Sequence, residues 1–149
     1  MTPTTIYFDM DGTIADLYGV ENWLASLRAY NPSPYIQAKP LVRLASLAII
    51  LNHLQRIGYR IGIISWLSKD SNAEYDEMVT SAKCRWLTKH LPSVHFNEMH
   101  FVAYGTPKQS VAAEPMGILF DDNADVRAEW TGHAFDVDNI LEILKALSC

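Results

Sequence analysis

Two pairs of carboxylates, one hydroxyl and one ammonium stand out in this sequence by type and spacing. Asp9 and Asp11 flank Met10 and run into Gly12-Thr13, Asp121 and Asp122 are adjacent, and Ser65 and Lys108 lie between the two pairs. The acids and the serine sit at the ends of apolar runs that read as strands: Thr4–Asp9, Tyr59–Ser65 and Gly117–Phe120. Lys108 falls between the third and fourth strands. Ligands of open α/β sheets bind at the carboxyl ends of the strands, so all six groups are expected on one rim. Four carboxylates crowded there repel by several kcal/mol per close pair at an effective dielectric of about 20, and core packing has no use for them. A hard divalent cation removes the repulsion. Mg²⁺ takes oxygen ligands, keeps several waters and is usually held by one or two carboxylates plus a substrate phosphate. A metal, a lysine and a nucleophile-capable acid together suit a dianionic phosphate.

The elements that must hold these groups follow from pattern and punctuation. The first strand stops at the Asp11-Gly12 turn signal. Glu21–Tyr30 carries Trp23, Leu24 and Leu27 at helical spacing, and Asn31–Pro40, with three prolines, reads as a loop. Leu41, Leu44, Ala48, Leu51, Leu54 and Ile57 fall on one helical face, with Gly58 as the stop. After the second strand, Ser71 and Glu74 have the spacing of a capping box. The stripe Tyr75, Met78, Val79, Ala82, Trp86, Leu87 marks the next helix, acidic at its start and basic at its end through Lys83, Arg85 and Lys89. That basic group is read as a solvated helix end. Met99–Tyr104 is strand three, Asn123–Trp130 a short helix, Ala134–Val137 strand five, and Asp138 is expected to cap a final helix through Leu147. Strands that are nearly continuous apolar runs, alternating with helices, predict an α/β architecture: a parallel sheet covered on both faces. Residues 1–149 are taken as one domain with a small excursion at 14–40.

On these residues the chain resembles the haloacid dehalogenase-like (HAD) superfamily of phosphotransferases. Its four motifs are matched in order by Ile6-Tyr7-Phe8-Asp9-Met10-Asp11-Gly12-Thr13, by Ile63-Ile64-Ser65, by Lys108 and by Ile118-Leu119-Phe120-Asp121-Asp122. The resemblance implies a Rossmann-like three-layer sandwich with a five-stranded sheet in the order 3-2-1-4-5. It implies that Asp9 attacks phosphorus to form an aspartyl-phosphate, and that Asp11 protonates the leaving alkoxide and then deprotonates water. Mg²⁺ would sit between the Asp9 carboxylate, the Asp11 carbonyl and Asp122, with Asp121 as a further or water-mediated ligand. Ser65 and the amides after Asp9 would bind phosphoryl oxygens, and Lys108 would offset charge. An acid two residues after the nucleophile favours phosphoester hydrolysis over chemistry at carbon. The helix ending at Lys83–Leu91 and the Asp-Asp motif are similar to the deoxyribonucleotidase branch, which points to a 5′-nucleotidase acting on a small mononucleotide.

Two departures accompany the match. Asp125 lies three residues beyond Asp122, where the family often places an acid about four beyond. The insertion at 14–40, where the family carries a cap, is too small for a full lid, so the site is expected to be open or covered by this minimal helical cap or another subunit. Gly12, Thr13 and Trp66 are the candidates for substrate contact. Trp66, Tyr18 and Trp23 could stack on a base or an aromatic leaving group, although packing is the favoured role.

Composition bounds the remaining choices. The chain has 149 residues, 49% hydrophobic and 19% charged, with a formal net charge of -5. It is long enough to bury a core without staples, and its acidity gives no general attraction to nucleic acid. Cys84 and Cys149 make no framework, and the five histidines show no metal spacing. No apolar run is of membrane-spanning length. The opening Met-Thr-Pro-Thr-Thr lacks the features of a signal peptide, so a cytoplasmic location is the expectation. A phosphatase of nucleic-acid ends and a non-catalytic module on the same fold are the alternative readings.

Overall fold

The computed structural model describes residues 4–149; residues 1–3, part of the segment read for a leader, lie outside them. Its frame is a five-stranded parallel sheet built from β1 (Thr5–Phe8), β4 (Arg60–Trp66), β5 (Glu98–Val102), β6 (Ile118–Phe120) and β7 (Ala134–Phe135), ordered β5-β4-β1-β6-β7. Counting only these strands along the chain, the order is 3-2-1-4-5. The full strand count differs because β2 (Ala15–Asp16) and β3 (Lys39–Pro40) form a separate antiparallel pair inside the 14–40 excursion. The chain leaves β1 in one direction to β4 and β5, then returns to β6 on the other side. That reversal opens a crevice at the carboxyl ends of β1 and β6, which is where Asp9 and Asp121 stand.

Side chains of β1 alternate between two cores, as strand geometry requires. Ile6 and Phe8 join Ile61, Ile63, Ile118 and Phe120 under Leu47, Leu51 and Leu54 of α3 (Leu44–Arg56) and Ile140 and Leu144 of α6 (Ile140–Leu147). Tyr7, Ile64 and Leu119 face the opposite way, against Val126 of α5 (Ala124–Glu129) and Trp130. Gly62, paired with Tyr7 across the sheet, has no side chain because a Cβ there would meet the Tyr7 ring at 2.7 Å. Helices on both faces satisfy the expectation of a covered parallel sheet. Among the described residues no helix is long and apolar enough to cross a membrane.

Several local expectations shift. The Asn31–Pro40 stretch contains α2 (Ser33–Gln37) as well as β3, because Pro34 in the first turn starts a helix rather than forbidding one. The face of α3 is carried by Leu47, Leu51 and Leu54, while Leu41 and Ile57 are exposed at its ends. Gly58, at φ +110°, does end it. The helix after β4, α4 (Ala73–His90), is capped by Asn72, whose side chain accepts from the Tyr75 amide at 2.8 Å, so the Ser71/Glu74 box does not form. Likewise Asp136, not Asp138, caps the turn that leads into α6. Met78 of the α4 stripe is exposed, whereas Lys83 is buried.

The excursion is tied down rather than hanging free. It comprises β2, α1 (Trp23–Arg28), α2 and β3. Leu17 and Tyr35 pack on Tyr75, Val79 and Ala82 of α4. The Tyr75 hydroxyl donates to the Asn31 carbonyl and the Trp86 indole N–H to the Ala38 carbonyl, each at 2.8 Å. Burial of Trp86, 2% exposed, contributes roughly 3 kcal/mol by apolar transfer. These contacts set the insertion over one side of the crevice.

Candidate active site

Asp9 is the first residue beyond β1, and its amide still donates to the Phe120 carbonyl of β6 at 2.9 Å. The two strands therefore fix its backbone. Its carboxylate is held at both oxygens: Lys108 Nζ donates to Oδ1 at 2.9 Å and Thr13 Oγ1 to Oδ2 at 2.9 Å. Thr13 also accepts from the Asp122 amide at 3.2 Å, so its hydroxyl links the first and last acid motifs. Thr13 thus works on Asp9 in this structure rather than as a substrate contact. The Gly12 and Thr13 amides are spent inside the turn, on Ala15 and Met10 carbonyls. That leaves the Met10 and Asp11 amides as the backbone donors next to Asp9.

Gly12 is required by geometry. Its φ is +80°, and a Cβ would stand 2.3 Å from an Asp122 carboxylate oxygen and 2.9 Å from the Tyr18 ring. The turn can bring Asp9 and Asp122 together because this position has no side chain.

Lys108 is 3% exposed and bridges two acids, reaching Asp121 Oδ2 at 2.6 Å as well as Asp9. Burial pulls its ammonium down, but Asp9 and Asp121 outweigh that and hold it above the usual lysine value. One lysine cannot neutralise three acids. Burial, then the neighbouring Asp9, pushes the Asp121 carboxyl up to about 6. Partial desolvation, then Asp9, raises Asp122 to about 7 although that residue is open on its outer side. Oxygen atoms from Asp9, Asp121 and Asp122 lie within 4.8 Å of one another. Crowded carboxylates with displaced acidities and hard oxygen donors fit a divalent cation. Asp11's carboxylate stands outside this cluster.

Asp11 points instead to Lys83, expected at the solvated end of α4. Lys83 Nζ donates to Asp11 Oδ2 at 2.9 Å, to Ser65 Oγ at 2.6 Å and to the Trp66 carbonyl at 2.7 Å. Lys83 is 1% exposed, so the solvated-end reading fails for Lys83, while Arg85 and Lys89 are exposed as expected. Burial pushes the Asp11 carboxyl above its ordinary value, opposed by Lys83 and assisted by Asp9. The pattern held a usable signal. At about 100° per residue, Lys83 lies four residues after Val79 and eight after Tyr75, in the apolar stripe. Arg85 and Lys89 point elsewhere, so the three basic residues share no face. Ser65 is fully buried beside Lys83 and does not line the cavity.

Above the acids lies a cavity of about 280 Å³. Asp9, Asp11, Lys108, Asp121 and Asp122 form its charged end, and Tyr18, Trp23, Tyr35, Trp66 and Tyr104 wall it, with Lys69 at its edge. Tyr18 and Trp23 meet edge to face with centroids 4.9 Å apart, and Trp66 tilts against Tyr104 at 5.0 Å. The Trp66 indole donates to the Thr106 carbonyl at 2.8 Å, which fixes its plane. Tyr35, Tyr104 and Lys69 join the wall through the fold alone: Tyr35 on the short helix α2, and Tyr104 and Lys69 just beyond the ends of β5 and β4. Asp125 is exposed in the first turn of α5 and takes no part. The histidines join no metal-binding cluster among the described residues.

No protein-family model matches the chain, and no curated protein matches its sequence. A solved structure shares its fold: the D,D-heptose 1,7-bisphosphate phosphatase from Burkholderia thailandensis, at TM-score 0.57 and 11% identity, over 97% of each chain. At that identity the likeness is one of fold, a Rossmann-like α/β sandwich with a five-stranded parallel sheet. The residues of the site argue for themselves.

Proposed function

We propose that this chain is a Mg²⁺-dependent phosphomonoester hydrolase of the HAD superfamily, working through an aspartyl-phosphate on Asp9. The single observation that carries the reading is the Asp9 carboxylate, fixed by Lys108 and Thr13 at the charged end of a cavity beside two further acids. The shared fold with a solved phosphatase supports it. So do the four ordered motifs: three end on or beside the carboxyl ends of β1, β4 and β6, and Lys108 reaches the same rim from the turn between β5 and β6.

Asp9, Asp122 and Asp121 would hold the cation, which when bound supplies positive charge against the carboxylates and the phosphate. The chain's own groups then account for the bond changes. An Asp9 carboxylate oxygen forms a bond to phosphorus as the ester P–O bond breaks, and the leaving oxygen takes the proton of the Asp11 carboxyl. Asp11, now ionised, accepts a proton from water as the water oxygen bonds to phosphorus and Asp9 is released. Lys108 offsets charge on Asp9 and on the transferring group, and the Met10 and Asp11 amides would donate to phosphoryl oxygens. Positioning and electrostatics are enough because the transition state is loose.

The aromatic wall selects the leaving group. A planar heterocycle stacked between the Tyr18/Trp23 and Trp66/Tyr104 pairs, with its phosphate at Asp9, describes a mononucleotide, and 5′-nucleotidase activity is the finer reading. Residues 14–40 serve as a minimal cap that supplies half of that wall. A panel of deoxy- and ribonucleotides, sugar phosphates and an aryl phosphate, with Mg²⁺ and with chelator, tests both levels. Turnover of nucleotides above sugar phosphates is expected. No turnover of any ester with Mg²⁺ would leave a non-catalytic module as the better description.

A further inference from the structure

Lys83 is a buried cation that the proposed reaction does not require, and buried lysines without a task are rare. Its side chain leaves the middle of α4 and reaches Asp11 and the carboxyl end of β4. An ammonium has three N–H groups, and all three are used: on Asp11 Oδ2, Ser65 Oγ and the Trp66 carbonyl. The Tyr35 ring lies 5.0 Å from Nζ and closes the remaining side. The Ser65 and Trp66 acceptors belong to the carboxyl end of β4, so the ammonium is anchored to the sheet. Its third bond then fixes a single oxygen of Asp11.

We infer that Lys83 is a positioning residue: anchored by Ser65 and the Trp66 carbonyl, it pins Oδ2 of Asp11 so that Oδ1 is presented to the leaving oxygen. Asp11 follows β1 in a turn rather than in a strand or helix, and its carboxyl would otherwise rotate about two free torsions. Proton transfer in the first step runs from Asp11 Oδ1 to the ester oxygen as that oxygen takes the electron pair of the breaking P–O bond. A misaimed carboxyl therefore slows esters whose leaving oxygen needs the proton and spares those that leave as stable anions. The inference rests on the phosphatase reading and gives Ser65 a task different from direct phosphoryl binding.

The test is single-turnover release of the leaving group, with enzyme in excess and saturating Mg²⁺, from phenyl phosphate and from dinitrophenyl phosphate. Lys83→Met, of similar length, should lose about 100-fold on phenyl phosphate, within the range for acid–base assistance, and less than about threefold on dinitrophenyl phosphate. Ser65→Ala weakens the anchor without emptying the site. It should show the same selectivity at smaller size, roughly three- to tenfold on phenyl phosphate alone, and it keeps the test open if Lys83→Met does not fold. Equal losses on both esters, or a Ser65→Ala variant with weaker binding of both, would overturn the inference. Wild-type protein inactive on both esters would instead overturn the phosphatase reading itself.

Discussion

Replacing Lys108 with Met should convert the best-neutralised part of the site into its most unstable part. The lysine donates to Asp9 Oδ1 at 2.9 Å and to Asp121 Oδ2 at 2.6 Å, and both acids are at most 6% exposed. At an effective dielectric of about 20, each contact is worth about 6 kcal/mol before desolvation is subtracted. Removing one partner of such a buried group typically costs 3–5 kcal/mol net, since the stranded charges remain. Met fills nearly the same volume, so the cavity contribution is small. The loss should depend on pH. Asp121 is raised to about 6 in the intact protein, by burial first and then by Asp9, with Lys108 opposing. Without Lys108 it rises further. A carboxyl whose folded value is raised contributes stability that is complete below its ordinary value and is lost as pH climbs through the folded value. The variant's deficit should therefore be about 3–5 kcal/mol at pH 8 and visibly smaller at pH 5.5. Urea unfolding followed by tryptophan fluorescence, in chelator at both pH values, measures it. A deficit under about 1 kcal/mol at pH 8, or the same deficit at both pH values, would refute the electrostatic account of this triad.

Other consequences are open to direct measurement. With chelator, the intact protein should lose about 1.4 kcal/mol between pH 5 and pH 8 through Asp121, whose folded value of about 6 stands above the ordinary 3.8, and more again through Asp122, raised to about 7. Saturating Mg²⁺ should remove that slope, as melting curves with and without the ion would show. His90, lowered by burial and by Lys89, works in the opposite sense, and the comparison with and without metal cancels it. Asp9→Asn should abolish turnover and phosphoenzyme trapping, by at least about 10⁴-fold, while circular dichroism stays unchanged; activity equal to wild type would reject Asp9 as the nucleophile. Gly12→Ala should weaken metal binding at least tenfold, read by isothermal titration, because the new methyl displaces Asp122 and the φ of +80° disfavours any side chain.

How much of this was legible beforehand depends on the kind of signal. Strands β1, β4 and β6 were readable because a strand buried on both faces must be apolar almost throughout, and the polar residue that ends it marks the rim. Asp9 and Asp121 are such residues, whereas β4 runs one residue past the buried Ser65 to Trp66. Gly12 was readable as part of a turn but not as the spacer that admits Asp122. Short elements were misread where local chemistry gives two answers. Pro34 reads as a breaker and serves as a first-turn residue of α2. Asn72 and Ser71 compete for the same cap, and the choice follows the path of the chain arriving from β4.

The sequence alone determined which strands alternate with which helices and which acids sit at strand ends, because those features are written in periodicity and in near neighbours. Only the tertiary structure decided what those acids face. Lys83 lies 72 residues from Asp11 and Lys108 lies 99 from Asp9, and no local pattern encodes which of two cations meets which carboxylate. That pairing depends on how α4 is rotated against the sheet. The rotation is set by packing Tyr75, Val79 and Ala82 under the 14–40 insertion, a long-range contact whose free energy belongs to the assembled chain and not to any segment of it.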